Sequence, residues 1–252
     1  MKGNPVKCLG LPFLEAPSLI PPPVMYEHTD KERLLLAVDC IVFGFDGEKL
    51  KILLIKRGFE PEKGKWSLVG GFLKKNEVLH DAATRILTLY TGLDDVYMEQ
   101  VGTFSDIDRD PEERTVSTAY YALINIKNHS QKLNRQFSAR WFSVEEAPPL
   151  IFDHDKMVRY ALDRLKIKAE TEPIGFELLP EKFTMRQLQN LYEAIWNVSL
   201  DKRNFISKVR SLDILEKLDE KDMTSSRKGS FLYRFDAEKY RTVERNRASL
   251  NL

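Results

Sequence analysis

A chain of 252 residues can hold one large or two modest domains, and 42% hydrophobic with 31% charged residues is a globular balance that excludes a disordered or fibrous protein. The net charge of +1 offers no global attraction to a polyanion, but it is unevenly spread: residues 181–252 carry 15 Lys and Arg against 11 Asp and Glu, the remainder 24 against 27. Two distant cysteines, Cys8 and Cys40, argue against a disulfide framework or a zinc site and suit a reducing cytoplasm, and no apolar run approaches the ~18 residues of a membrane span.

The first ~24 residues, ending in Pro21-Pro22-Pro23, lack the charged start and continuous apolar stretch of a signal peptide, and residues 1–33 read as an extended arm. Residues 34–45, LLLAVDCIVFGF, form a β-rich apolar run. Asp46-Gly47 is a turn signal, and residues 50–56 complete a hairpin. A polar loop over 58–65 leads to a strand over 66–72. A helix is predicted from about 77 to 91, with Asn76 as its N-cap. Strands follow at 96–104 and 115–126, flanking the charged loop SDIDRDPEER, with a short strand at 140–142 and a helix at 155–169. Strands with one helix between them and one after suit an α/β sandwich over 34–170. The four histidines, His28, His80, His129 and His154, have no ligand-like spacing, so no metal or cofactor is expected.

A linker is expected over 171–182. Beyond it Thr184 caps a helix carrying Leu188, Leu191, Tyr192, Ile195 and Trp196 at helical spacing. After a turn at 199–201, Asp201 caps a second helix, KRNFISKVRSL. Phe205, Ile206, Val209 and Leu212 mark its inward face, and Lys202, Arg203, Asn204, Lys208 and Arg210 its outward face. A strand near 214–218, a basic turn through Arg227-Lys228-Gly229 and the strand FLYRF complete the order of a winged helix-turn-helix over 183–252. The second helix would enter the major groove of double-stranded DNA. Lys202, Arg203, Lys208, Arg227 and Lys228 are candidates for phosphates, and Arg203, Asn204 and Lys208 for base edges.

The segment from Gly71 to Leu93 reads GFLKKNEVLHDAATRILTLYTGL. Its Gly71, Glu77, Arg85, Gly92 and Leu93 fall at the spacing of the Nudix signature, which it resembles. A working Nudix hydrolase carries three glutamates after the arginine. Here those positions hold Ile86, Leu89 and Tyr90. Cleavage of a pyrophosphate needs divalent cations held by carboxylates, so the resemblance implies the frame of a hydrolase without its catalytic residues: not an enzyme, with Glu77 and Arg85 left as a structural brace. With Leu93, the three replacements read as an apolar stripe packed into the core.

WSLVGGF, the RDP loop followed by YYAL, and RWFSVEEAPPLIFDHDKMVRYALDRL extend the resemblance to Nudix-related transcriptional regulators, and most to their arabinose-responsive branch. What this implies is an α+β protein: a Nudix α/β/α sandwich with a mixed sheet, followed by a C-terminal winged helix-turn-helix. It also implies a homodimeric repressor that reads palindromic operator DNA. Its effector would be a small molecule, L-arabinose first and ADP-ribose as the alternative. Arg57, Trp66, Phe72, Glu77, Asp106, Asp108, Arg109 and Tyr120 are the candidates for lining the effector pocket. Two rivals stand beside this reading. One is a hydrolase using a metal relocated onto Glu77, Asp81 and the acidic loop; the other is a binding protein whose C-terminal domain docks protein.

Overall fold

A computed structural model describes residues 33–93, 96–126, 138–224 and 228–242. The expected N-terminal arm, Cys8, His28, His129 and Arg227 lie outside the described residues, apart from Arg33 at the arm's end. β1 (Leu35–Phe45) and β2 (Leu50–Lys56) form the hairpin, with Val42 opposite Leu53 and Phe45 opposite Leu50. The Asp46 carboxylate closes the turn by accepting from the backbone N–H groups of Glu48 and Lys49 at 2.9 and 2.8 Å. β3 (Trp66–Ser67), β4 (Val69–Phe72), α1 (Leu79–Thr91), β5 (Met98–Phe104), β6 (Thr115–Asn125), β7 (Arg140–Ser143) and α2 (His154–Thr171) complete the first half.

One seven-stranded sheet runs β3-β2-β1-β6-β5, with β4 added to β1 and β7 to β2. It is mixed, because β1 and β6 are parallel while the other pairs are antiparallel. Side chains alternate along β1. Val38, Cys40 and Val42 join a cluster with Ala82, Ala83, Ile86 and Leu87 of α1. Ile41, Phe43 and Phe45 join the opposite cluster, with Met157, Ala161 and Leu165 of α2. A strand buried on both faces explains why β1 reads as a continuous apolar run.

Two local expectations are corrected. The strand over 66–72 is two strands, because Ser67 pairs with Ile55 of β2 whereas Val69 pairs with Cys40 of β1. The chain thus crosses between neighbours at buried Leu68. The helix begins at Leu79, not near Glu77, and its N-cap is Val78 without a side-chain cap bond. Glu77 is drawn off to accept from the Lys74 N–H at 2.7 Å and from Arg85 Nε at 2.9 Å, which keeps it out of the helix and leaves Asn76 exposed.

The second half contains β8 (Phe183–Thr184), α3 (Met185–Trp196), α4 (Lys202–Ser211), β9 (Leu215–Asp222) and β10 (Ser230–Phe235), with sheet order β8-β10-β9. Thr184 and Gln187 form a reciprocal capping box, and Asp201 Oδ1 accepts from the Asn204 N–H at 2.9 Å, so both predicted caps are formed. The stretch expected as a linker is packed: Leu178 and Leu179 are buried in the same cluster as Met157 and Leu165, and so are Phe183, Leu188 and Leu191. Trp196 Nε1 donates to the Lys166 carbonyl and Asn190 Nδ2 to the Gly47 carbonyl, each at 3.3 Å. No described helix is long and apolar enough to cross a membrane.

Candidate functional site

A cavity of about 500 Å³ opens where β1, β4 and the loop after β2 meet the start of α2. Asp39 comes from β1, Arg57 and Phe59 from beyond β2, Gly70, Gly71 and Phe72 from β4, Tyr90 from α1, and Phe152 and His154 from the head of α2; Arg109 reaches in from the charged loop. Gly70 lets the Asp39 carboxylate lie against the backbone here. A Cβ on it would lie 2.1 Å from Asp39 Oδ1.

The floor is polar and buried. Arg109 donates twice to Asp153, at 3.0 and 2.8 Å, and its Nη2 lies 3.7 Å from Asp39 Oδ2. Ser117 donates to the same Oδ2 at 2.6 Å. The Leu68 N–H points at His154 Nδ1 at 3.2 Å. A backbone N–H can only donate, so Nδ1 is the acceptor and the imidazole proton sits on Nε2, which faces Asp39 Oδ1 at 3.8 Å. Burial lowers the His154 pKa, with Asp39 opposing, and favours the neutral ring. The rim is cationic and aromatic. The Arg57 guanidinium lies 4.1 Å from the Phe59 ring centre and 5.3 Å from that of Phe152. Its Nε is buried without a hydrogen-bond partner among the described residues.

Of the eight residues predicted to line the pocket, the structure brings together Arg57, Phe72 and Arg109. The other five are corrected. Trp66 packs edge-on against Phe142, with ring centres 4.8 Å apart. Glu77 braces Arg85. Asp106 pairs with Lys156 at 2.6 Å, and Asp108 is exposed outside the cleft. Tyr120 is buried in the cluster on the α1 side of the sheet, its hydroxyl donating to Gln100 at 3.3 Å. Asp39, Tyr90, Phe152 and His154 were missed. Asp39 did carry a signal, as the one charged residue inside an apolar run.

The three positions of the missing glutamates part company. Ile86 is buried, 1% exposed, beside Gly71; Leu89 is 51% exposed; Tyr90 lines the cleft. The uniform core stripe is therefore corrected. Steps of three and four residues place Leu89 and Tyr90 on opposite flanks of Ile86 rather than beneath it. Among the described residues no group of three or more His, Cys, Asp or Glu side chains is placed to hold a metal ion.

On the second half, α4 exposes Lys202, Arg203, Asn204, Lys208 and Arg210, while Phe205 and Ile206 are half-buried and Val209 is buried. None of these four cations has an ion-pair partner among the described residues. Lys228 is exposed at the wing turn. On the wing strands Lys217 and Lys221 lie over the Phe231 ring at 3.7 and 4.7 Å, two basic residues outside the predicted set.

Residues 33–161 match the NUDIX domain and residues 175–235 the NrtR DNA-binding winged helix domain. Over 219 residues the chain is 34% identical to the ADPR responsive transcriptional repressor NtrR of Acinetobacter baylyi, covering 85% of this chain and 87% of that protein. The chain belongs to this NrtR family of Nudix-related transcriptional regulators. Shewanella oneidensis NrtR, solved in complex with a 27mer DNA, superposes with a TM-score of 0.73 at 27% identity, over 81% of this chain and 95% of that one. The ADP-ribose pyrophosphatase of Methanocaldococcus jannaschii is 32% identical over 130 residues, 51% of this chain and 76% of that protein. Assignment to an arabinose-responsive branch is thereby corrected, since the similar regulator is ADPR responsive. The motifs behind that assignment are divided: Gly70, Gly71, Phe72, Arg109, Phe152 and His154 line the cleft, and some other positions do not. Trp66 packs on Phe142, and Asp106 and Asp108 lie outside the cleft.

Proposed function

We propose that this protein is a transcriptional repressor that binds operator DNA as a homodimer and is controlled by ADP-ribose, or a close relative of it, bound but not cleaved in the Nudix cleft. One observation carries the reading: a Nudix half with Ile86, Leu89 and Tyr90 at the metal-binding positions is joined, through the apolar cluster on the opposite face of its sheet from Ile86, to a winged helix whose α4 presents cations without ion-pair partners among the described residues. The chemistry of the cleft supports an anionic ligand. Arg57, Lys56 and Lys63 line it, and the ring of Phe59, 62% exposed, offers a face for a base. Lys202, Arg203, Lys208 and Arg210 supply phosphate contacts, and Arg203 and Asn204 can read guanine and adenine edges. Effector binding would act through the difference in its affinity for the DNA-competent and DNA-incompetent dimers.

The test is fluorescence anisotropy on DNA from upstream of the protein's own gene, at fixed salt, with ADP-ribose, L-arabinose or no addition. Sequence-dependent binding relieved by ADP-ribose alone is expected. Binding no tighter than to scrambled DNA would overturn the regulator reading, and Mg²⁺-dependent turnover of ADP-ribose would overturn the noncatalytic one.

A further inference from the structure

We infer that Gln189 and Glu193 of α3 are positioning residues for DNA recognition: together they grip both backbone groups of Leu200 and so set the direction in which α4 presents Arg203 and Asn204. The role rests on the DNA-binding reading above and adds to it the side chains that aim the helix. Gln189 and Glu193 stand one helical turn apart on one face of α3. Glu193 Oε1 accepts from the Leu200 N–H at 2.8 Å, and Gln189 Nε2 donates to the Leu200 carbonyl at 3.0 Å. The same Gln189 nitrogen donates to Glu193 Oε1 at 3.1 Å, which closes the grip. Both partners of that nitrogen are acceptors, so both amide hydrogens are used and the amide has one orientation. Leu200 directly precedes Asp201, whose carboxylate accepts from the Asn204 N–H and whose carbonyl accepts from the Phe205 N–H, each at 2.9 Å. Arg203 and Asn204 thus lie in the first turn beyond the grip.

Packing explains why α4 needs such a grip. Helix α3 buries Leu188, Leu191, Tyr192 and Ile195, begins with the Thr184 capping box, and is tied to the Nudix half through Asn190 and Trp196, so it is a fixed frame. Helix α4 buries Val209 alone, in its last turn, with Phe205 and Ile206 half-buried. Its apolar hold is therefore weakest at the end that carries Arg203 and Asn204. Apolar contact is also non-directional, whereas a hydrogen bond constrains angle as well as distance. The start of α4 takes its aim from the polar contacts at Leu200 and Asp201. That aim matters for one kind of DNA contact more than another. Bidentate reading of a base edge needs a side chain in a defined place. Attraction to the phosphates follows charge and is independent of sequence. Loss of the grip should lower specificity and leave general affinity.

Fluorescence anisotropy on the full chain decides this, comparing DNA from upstream of the protein's own gene with scrambled DNA of equal length at fixed salt. Glu193→Ala leaves the Leu200 N–H without its acceptor; it should weaken binding to the upstream DNA about tenfold, the worth of one or two hydrogen bonds, and keep scrambled DNA within about threefold of wild type. Glu193→Gln removes the same charge but keeps an acceptor oxygen, so it should hold the upstream DNA within about threefold of wild type. A Glu193→Ala protein that keeps the wild-type preference, or that loses both DNAs equally, would overturn the positioning role alone. So would a Glu193→Gln protein that falls as far as Glu193→Ala. Wild type without a preference for the upstream DNA would overturn the DNA-binding reading and the positioning role together. If Glu193→Ala does not fold, Gln189→Ala, which frees only the Leu200 carbonyl, takes its place: a loss of preference of about threefold or more is expected, and an unchanged preference would overturn the role.

Discussion

His154 is held between the Leu68 N–H and Asp39, and burial keeps its pKa below the ordinary value of 6.5. An unfolded chain takes up the proton near that pH and the folded one does not. The stabilisation is therefore complete above about pH 6.5 and declines as the pH falls toward the folded pKa, by at most about 1.4 kcal/mol per pH unit. Urea midpoints should drop between pH 7.5 and 5.5, and His154→Gln should flatten that slope; equal slopes would place the proton elsewhere. Glu77 titrates lower still. The Arg85 guanidinium holds it down to about 2, so its contribution is present above the ordinary 4.5 and fades only in acid. On the DNA side, Arg203→Ala should weaken specific binding by about 1–3 kcal/mol and leave nucleotide binding intact. Anisotropy and calorimetry on the same preparation check this, and loss of both would mean that Arg203 supports the fold.

Helix α1 shows how one element can hold structural and ligand-facing positions within a single turn. Ile86 is sealed against β4, so Ile86→Glu would bury a carboxylate without a partner and should cost about 3 kcal/mol or more. Leu89→Glu lies at the surface and should change stability by less than about 0.5 kcal/mol. Denaturation curves of the two single variants read the contrast directly, and equal losses would contradict the burial difference. Restoring all three glutamates should thus damage the fold before it yields a hydrolase. Helix α3 depends on its start: Thr184→Ala removes the hydroxyl half of the capping box and should cost about 1 kcal/mol. The caps of α3 and α4 were legible because a capping side chain acts on backbone within three residues. The start of α1 was not, because Glu77 answers to Arg85, eight residues on.

At the scale of the molecule, the Nudix half and the winged helix meet over a common apolar cluster, in which Leu178 and Leu179 sit beside Met157 and Leu165. The hairpin whose β1 carries Asp39 also reaches α3, through the Gly47 carbonyl and Asn190. Removing the residues after Pro180 should leave α1 packed on its face of the sheet, since that cluster is separate from the one the winged helix shares. The face of α2 that packs on α3 would then be bare. The truncated protein is expected to melt at lower temperature and to self-associate, as seen by calorimetry and light scattering; an unfolded product would show that the two halves form one folding unit.

Much of this architecture could be read locally. Alternating and continuous apolar runs announced the strands, Gly71, Glu77, Arg85 and Gly92 the Nudix loop and helix, and Thr184 and Asp201 the helix-turn-helix, because each signal acts over a few residues of chain. The cleft was a different matter. Arg57, Phe72 and Arg109 were foreseen, yet Asp39, Tyr90 and His154 join them only when β1, α1 and α2 converge. Trp66 and Tyr120 look like ligand-binding aromatics until packing turns them into the interior. Periodicity along the chain determined which faces are apolar. Which polar side chains share a cavity was decided by contacts between segments tens of residues apart.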